Sequence, residues 1–156
     1  MGWWLGESPT ASRLLDGAGD LPWWSVILLI VAAIFLTLLL HELGHLVAGL
    51  AQGFSFVLLA VGPLMVRRDN GRIRVTLNRN LALFGGVAAS MPQPNETRLL
   101  PKMAWVAAAG PLATFVVGLL AGLLILLLPE TFGVLRFFLF IMVLMAVAIV
   151  AATTLP

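Results

Sequence analysis

The chain has no cysteine, no tyrosine and two histidines, and only 10% of its 156 residues are charged. Without cysteine there is no disulfide and no thiolate ligand. Any bound metal must therefore be held by imidazole, carboxylate or water. A soluble domain usually carries about a quarter charged residues, so a tenth, beside 61% hydrophobic residues, excludes a water-soluble globular domain and points to a bilayer. Nine Lys+Arg and seven Asp+Glu leave a formal net charge of +2, too little for a nucleic-acid surface, so no nucleic-acid partner is expected. Met1 to Asp20 has neither a basic start nor an apolar core, so no signal peptide is read there.

Long apolar runs stand in place of charge. Residues 1–24 form a polar, acid-leaning lead, with Glu7, Asp16 and Asp20 against Arg13. Trp prefers the membrane–water interface, so Trp23-Trp24 reads as the belt of a first span, with Pro22 starting its helix. That span, about 25–50, would be roughly 36–39 Å long at 1.5 Å per residue, enough for a core of about 30 Å. A second span covers about 102–128 and contains Gly110-Pro111, which should loosen or kink it. Gly118 and Gly122 give that span a small-residue face for close helix contact. A third span covers about 134–156.

Between the first two spans the pattern changes. Asn70-Gly71 is a hairpin turn signal, and Arg72, Arg74 and Thr76 alternate with Ile73, Val75 and Leu77. Residues 54–80 therefore read as a β-hairpin at, or dipping into, the membrane surface. Residues 81–92 are apolar but too short to span. They are expected as a re-entrant segment packed on the spans, or as an interfacial strand. The fold class is mainly α: a polytopic membrane protein with about three transmembrane helices, a membrane-associated β-hairpin and a re-entrant segment. Seven of the nine basic residues (Arg67, Arg68, Arg72, Arg74, Arg79, Arg98, Lys102) lie between the first two spans. The positive-inside rule places that loop in the cytoplasm and the N-terminus outside. The Arg67–Arg74 cluster reads as membrane-surface charge set by topology.

Both histidines stand in His41-Glu42-Leu43-Gly44-His45, about two turns inside the cytoplasmic end of the first span. Positions i and i+4 lie about 40° apart on a helix, so the two imidazoles project from one face, with Glu42 about 100° round from His41. That is the HExxH pattern, in which two imidazoles bind Zn²⁺ and the carboxylate is the base for an attacking water. Neutral imidazole is the ligand form, so binding should weaken below about pH 6. The bland alternative is two buried polar residues hydrogen-bonded between helices. Ionisable residues in a span are costly, and this span has no basic partner for Glu42, which favours the metal.

HELGH at the end of a first core span is followed in order by three Gly-rich signatures. These are Val61-Gly62-Pro63-Leu64 with Asn70-Gly71-Arg72, then Gly85-Gly86-Val87, then Ala109-Gly110-Pro111-Leu112. Over about residues 25–156 the chain resembles the site-2 protease family of intramembrane zinc metalloproteases, peptidase family M50. The resemblance implies hydrolysis of a peptide bond in the transmembrane segment of a membrane protein substrate, within membrane lipid. It implies Zn²⁺ on His41 and His45, with Glu42 as general base and then acid to the leaving amine. It implies that Gly85, Gly86, Gly110, Pro111 and Thr114 support the substrate edge, and that the 54–77 hairpin pairs with the unwound substrate as an added strand. The family often has Asn three residues after its Gly-Pro, where Thr114 stands. Its third zinc ligand is an Asp, in an Asp-Gly after a later span usually preceded by a stretch like Leu-Pro. This sequence ends at Leu155-Pro156, so the expectation is a chain cut just short of that Asp, with a reading frame that continues to it. Asp16, in Leu14-Leu15-Asp16-Gly17, copies the motif's letters but lies a full span away on the expected outer side, and reads as coincidence. Asp69, on the hairpin turn, reads as solvated. The alternatives are a catalytically inactive M50-like membrane binding protein, and a metal-handling membrane protein that uses the two histidines as a transit site. Oligomeric state is left open.

Overall fold

The computed structural model describes residues 21–154. Asp16, most of the 1–24 lead and Leu155-Pro156 lie outside the described residues. Three helices carry the fold: α1 (Trp23–Ala51), α2 (Leu99–Leu127) and α3 (Gly133–Thr154). All three lie in stretches long and apolar enough to cross a membrane. α1 starts where Pro22, in an extended conformation (φ −59°, ψ 141°), turns its carbonyl onto the Ser25 N–H (2.9 Å) and hydroxyl (2.7 Å). It ends where Gly53 reverses the chain and the Phe54 N–H returns to the Gly49 carbonyl at 2.9 Å, a helix stop of the expected kind. The Lys102 ammonium caps that end, donating to the Gln52 carbonyl at 3.0 Å. The same ammonium donates to Glu96 and holds its carboxyl below the usual carboxylate range.

Between α1 and α2 lie four antiparallel strands: β1 (Ser55–Val61), β2 (Leu64–Asp69), β3 (Arg72–Leu77) and β4 (Val87–Met91). Their order in the sheet is β3-β2-β1-β4. The Asn70-Gly71 turn forms as read from sequence, with φ positive at both residues (49° and 77°), which is the type I′ geometry that matches strand twist. The hairpin is thus part of a larger sheet. Residues 81–92, expected first as a re-entrant segment, take the strand form instead: a 3₁₀ turn at Leu81–Leu83, then β4. The physical reason is the open edge of β1. A short apolar segment satisfies its backbone by pairing with that edge, and unpaired backbone is what apolar surroundings forbid.

The sheet packs along the C-terminal half of α1, the half that carries HELGH. Leu59 and Val61 of β1, with Val66 and Ala88, close on Phe35, Leu38, Leu39, Leu43 and Leu46 of α1. β1 runs from the Gly49 level, where Phe54 is bonded, back to Phe35, whose ring lies against Gly62. A second cluster joins the three helices through Ala33, Ala121, Leu139 and Met142. Small residues let the helices approach. A Cβ at Gly44 of α1 would stand 2.6 Å from the Ala109 carbonyl oxygen of α2, and one at Gly118 would stand 2.8 Å from the Ala146 Cβ of α3. Gly122 meets nothing within 4 Å, so of the two glycines read as a contact face, Gly118 makes the contact. Gly118→Val should lower stability by about 1–3 kcal/mol through overpacking, read as a fall in the thermal unfolding midpoint in detergent. Gly122→Val should leave that midpoint unchanged, and equal effects would contradict the packing described.

Candidate functional site

α1 is regular through HELGH, so His41 and His45 face α2 together while Glu42 turns toward the sheet. His41 and Glu42 are buried, at 6% and 8% exposure, in a helix whose other surface is apolar. Their polar atoms must therefore be satisfied from within. His41 Nδ1 lies 2.7 Å from Thr114 Oγ1, and the Thr114 hydroxyl donates to the Gly110 carbonyl at 3.1 Å. With its proton so committed, the Thr114 oxygen accepts from His41 Nδ1–H. His45 Nδ1 lies 2.7 Å from the Val106 carbonyl oxygen, which can only accept. These partners assign the proton to Nδ1 in both rings.

Both Nε2 lone pairs are then free, and they converge: the two Nε2 atoms stand 3.2 Å apart, with the rings edge to face at 84°. Two lone pairs at that distance repel unless a cation lies between them. Nitrogens bound at ~2.0–2.1 Å to one tetrahedral ion stand about 3.4 Å apart, close to the spacing found. The donor set fits a metal ion held by His41 and His45, with each ring's outer nitrogen anchored as metal-binding imidazoles require. Among the described residues, no group of three His, Cys, Asp or Glu side chains gathers at one point. Asp69 is at the β2–β3 tip, 3.3 Å from Arg74.

Two sequence features make room for the pair. A Cβ at Gly110 would overlap the His45 ring, so only glycine lets that imidazole lie across α2. Pro111 stands inside α2, which runs on unbroken. Its missing N–H leaves the Ala107 carbonyl without its helical donor, one residue beyond the carbonyl that receives His45. The Glu42 carboxylate meets the start of β4. Gly86 (φ +105°) passes so close that a Cβ there would stand 2.6 Å from Glu42 Oε1, and the Ala88 backbone lies beside the carboxylate. The site thus brings together His41, Glu42, His45, Gly86, Gly110 and Thr114. Gly85 meets nothing within 4 Å of its Cβ position and acts at most through the backbone. The sequence reading missed the Val106 carbonyl and the Ala88 backbone beside Glu42, because main-chain groups carry no side-chain signal. The Gly85-Gly86 and Gly110-Pro111 pairs were their only trace.

Fold and site together define a class: a helical membrane protein with a metal-competent histidine pair and an adjacent carboxylate, set against a sheet edge. The family model for peptidase family M50 matches residues 29–154, and the chain belongs to that family. Neither the comparison with curated proteins nor that with solved structures gave a match.

Thr114→Val keeps the shape of the site and removes the acceptor for His41 Nδ1–H. Zinc affinity, measured by competition with a chelator, should fall about 10–100-fold, and Thr114→Ser should restore most of it. Unchanged affinity in Thr114→Val would contradict this role.

Proposed function

We infer that the chain is a zinc-dependent intramembrane endopeptidase acting on the transmembrane segment of a membrane protein. The observation that carries this reading is the convergent Nε2 pair with Glu42 beside it at the edge of β4. His41 and His45 are the zinc ligands. When bound, zinc supplies the Lewis acidity that makes water a nucleophile at neutral pH. The chain's own residues supply the rest. Thr114 and Val106 hold the rings in the ligating tautomer. The Glu42 carboxylate takes a proton from the water that attacks the scissile carbonyl carbon. As the C–N bond breaks, it returns that proton to the leaving nitrogen. Catalytic zinc usually takes a third protein ligand, and in this reading it comes from outside the described residues.

A peptide bond in a helix is shielded by its own hydrogen bonds, so the substrate must reach Glu42 extended. The hairpin expected to receive it has β3 as its free edge, three strands from β4 in the sheet order. The strand whose start meets Glu42 is β4, and among the described residues its second side pairs with no strand. Strand addition at β4 would lay a substrate backbone beside the carboxylate. The seven basic residues between α1 and α2 support a cytoplasmic setting for this end of the protein. The rival reading is a catalytically inactive M50-like protein that binds a membrane partner. Reconstituted with a transmembrane substrate, Glu42→Gln should lower cleavage by at least about 10²-fold with zinc still bound. Cleavage unchanged in Glu42→Gln would overturn the protease reading, and zinc retained without cleavage in the parent chain would favour the inactive relative.

A further inference from the structure

The turn between β1 and β2 lies against the middle of α1. A Cβ at Gly62 would stand 3.2 Å from the Phe35 ring. From the Trp24 belt to Phe35 the helix rises about 16 Å, so in a core of about 30 Å this turn stands near the midplane. β3 ends beside it. The Asn78 N–H donates to the Pro63 carbonyl at 2.7 Å and the Asn78 side-chain amide to the Gly62 carbonyl at 2.8 Å. Asn78 Oδ1 accepts from the Asn80 N–H at 3.0 Å. Asn78 is therefore 3% exposed, with its side chain satisfied from within, as that depth requires.

The next two residues are not satisfied in this way. Arg79 and Asn80 are both exposed. Asn80 Oδ1 is taken by the Ala82 N–H at 3.1 Å, which leaves its side-chain amide with donors only. Among the described residues, the Arg79 guanidinium has no ion-pair or hydrogen-bond partner. Leu77 and Leu81, on either side in the chain, are 66% and 80% exposed, so this corner of the sheet faces lipid rather than the helices.

An ionised side chain near the midplane is costly unless it is paired. Snorkelling does not relieve it, because both headgroup layers are about 14–16 Å away, beyond the reach of one arginine. The same distance excludes a lipid phosphate as its partner. A second copy of this chain offers none within its spans. α1 carries one acid, Glu42, and α2 and α3 carry none, while Glu42 is buried at 8% exposure. Donors without an acceptor, set among exposed leucines at mid-membrane depth, match a carboxylate on an apolar helix.

We propose that this corner is a docking site for a transmembrane helix of a partner protein that carries an Asp or Glu near the middle of its span. Arg79 pairs with that carboxylate, the Asn80 amide donates to it, and Leu77 and Leu81 pack on the helix around it. β3 lies three strands from β4 in the sheet order, so the docked helix stands apart from Glu42, and the proposal does not rest on proteolysis.

The test is association of the full chain, in phosphatidylcholine vesicles, with a synthetic transmembrane helix of leucine and alanine that has one Asp at its centre. Energy transfer between a dye on the N-terminus of the chain and a dye on the peptide measures it. The Asp peptide should associate about 5–30-fold more tightly than its all-apolar counterpart. Moving the Asp two turns toward either end should remove the gain, as should Arg79→Leu. Arg79→Glu should transfer the preference to a peptide with a central Lys. Equal association of the parent chain with the Asp and apolar peptides, the result expected if water alone serves Arg79, overturns the proposal and needs no variant to fold. A gain that is unchanged when the Asp is moved, or that survives in Arg79→Leu, overturns it as well.

Discussion

Two imidazole lone pairs pointed at each other across 3.2 Å are the constraint on which the rest of this molecule depends. That opposition is unfavourable by itself, and α2 imposes it. The Thr114 hydroxyl and the Val106 carbonyl occupy the outer nitrogens, so neither ring is left to turn its bare nitrogen away. Holding the rings there requires α2 to lie very close to α1. Gly44 and Gly110 answer that need, one removing bulk between the helices and the other leaving space for the His45 ring. The strain of the pair is relieved when a cation enters, so the same contacts that cost stability in its absence favour metal when it arrives.

The sheet answers a second constraint. Backbone polar groups beside a membrane helix must find partners in the protein. Four strands pair with one another, and the sheet ends at β4, whose start the Glu42 carboxylate meets at Gly86. The Glu42 carboxylate is therefore placed by main-chain geometry as well as by its position in α1. Gly86 is the hinge between these two requirements: its positive φ starts β4, and its missing side chain lets the carboxylate approach.

Much of this was legible in the sequence. Three apolar runs gave the helices to within a few residues, because length against bilayer thickness leaves little choice. Asn70-Gly71 gave its turn, because few residue pairs accept two positive φ angles. Spacing alone put His41 and His45 on one face. Residues 81–92 were harder. An apolar stretch too short to span has no period that reports whether it will fold back or pair, and pairing was decided by the open edge of β1. Pro111 suggested a loosened or kinked helix, and α2 continues through it as one helix. The contacts that orient the histidines were invisible for another reason: one ends on a main-chain carbonyl, and the other on a threonine whose partner lies 73 residues away.

With two histidines in the whole chain, ¹⁵N-histidine labelling observes the centre of the account and nothing else. The account expects both rings to carry the proton on Nδ1, and both Nε2 resonances to shift together as zinc is added, reaching an end point at one ion per chain. A response confined to one ring, or zinc uptake that leaves both Nε2 resonances in place, would contradict it.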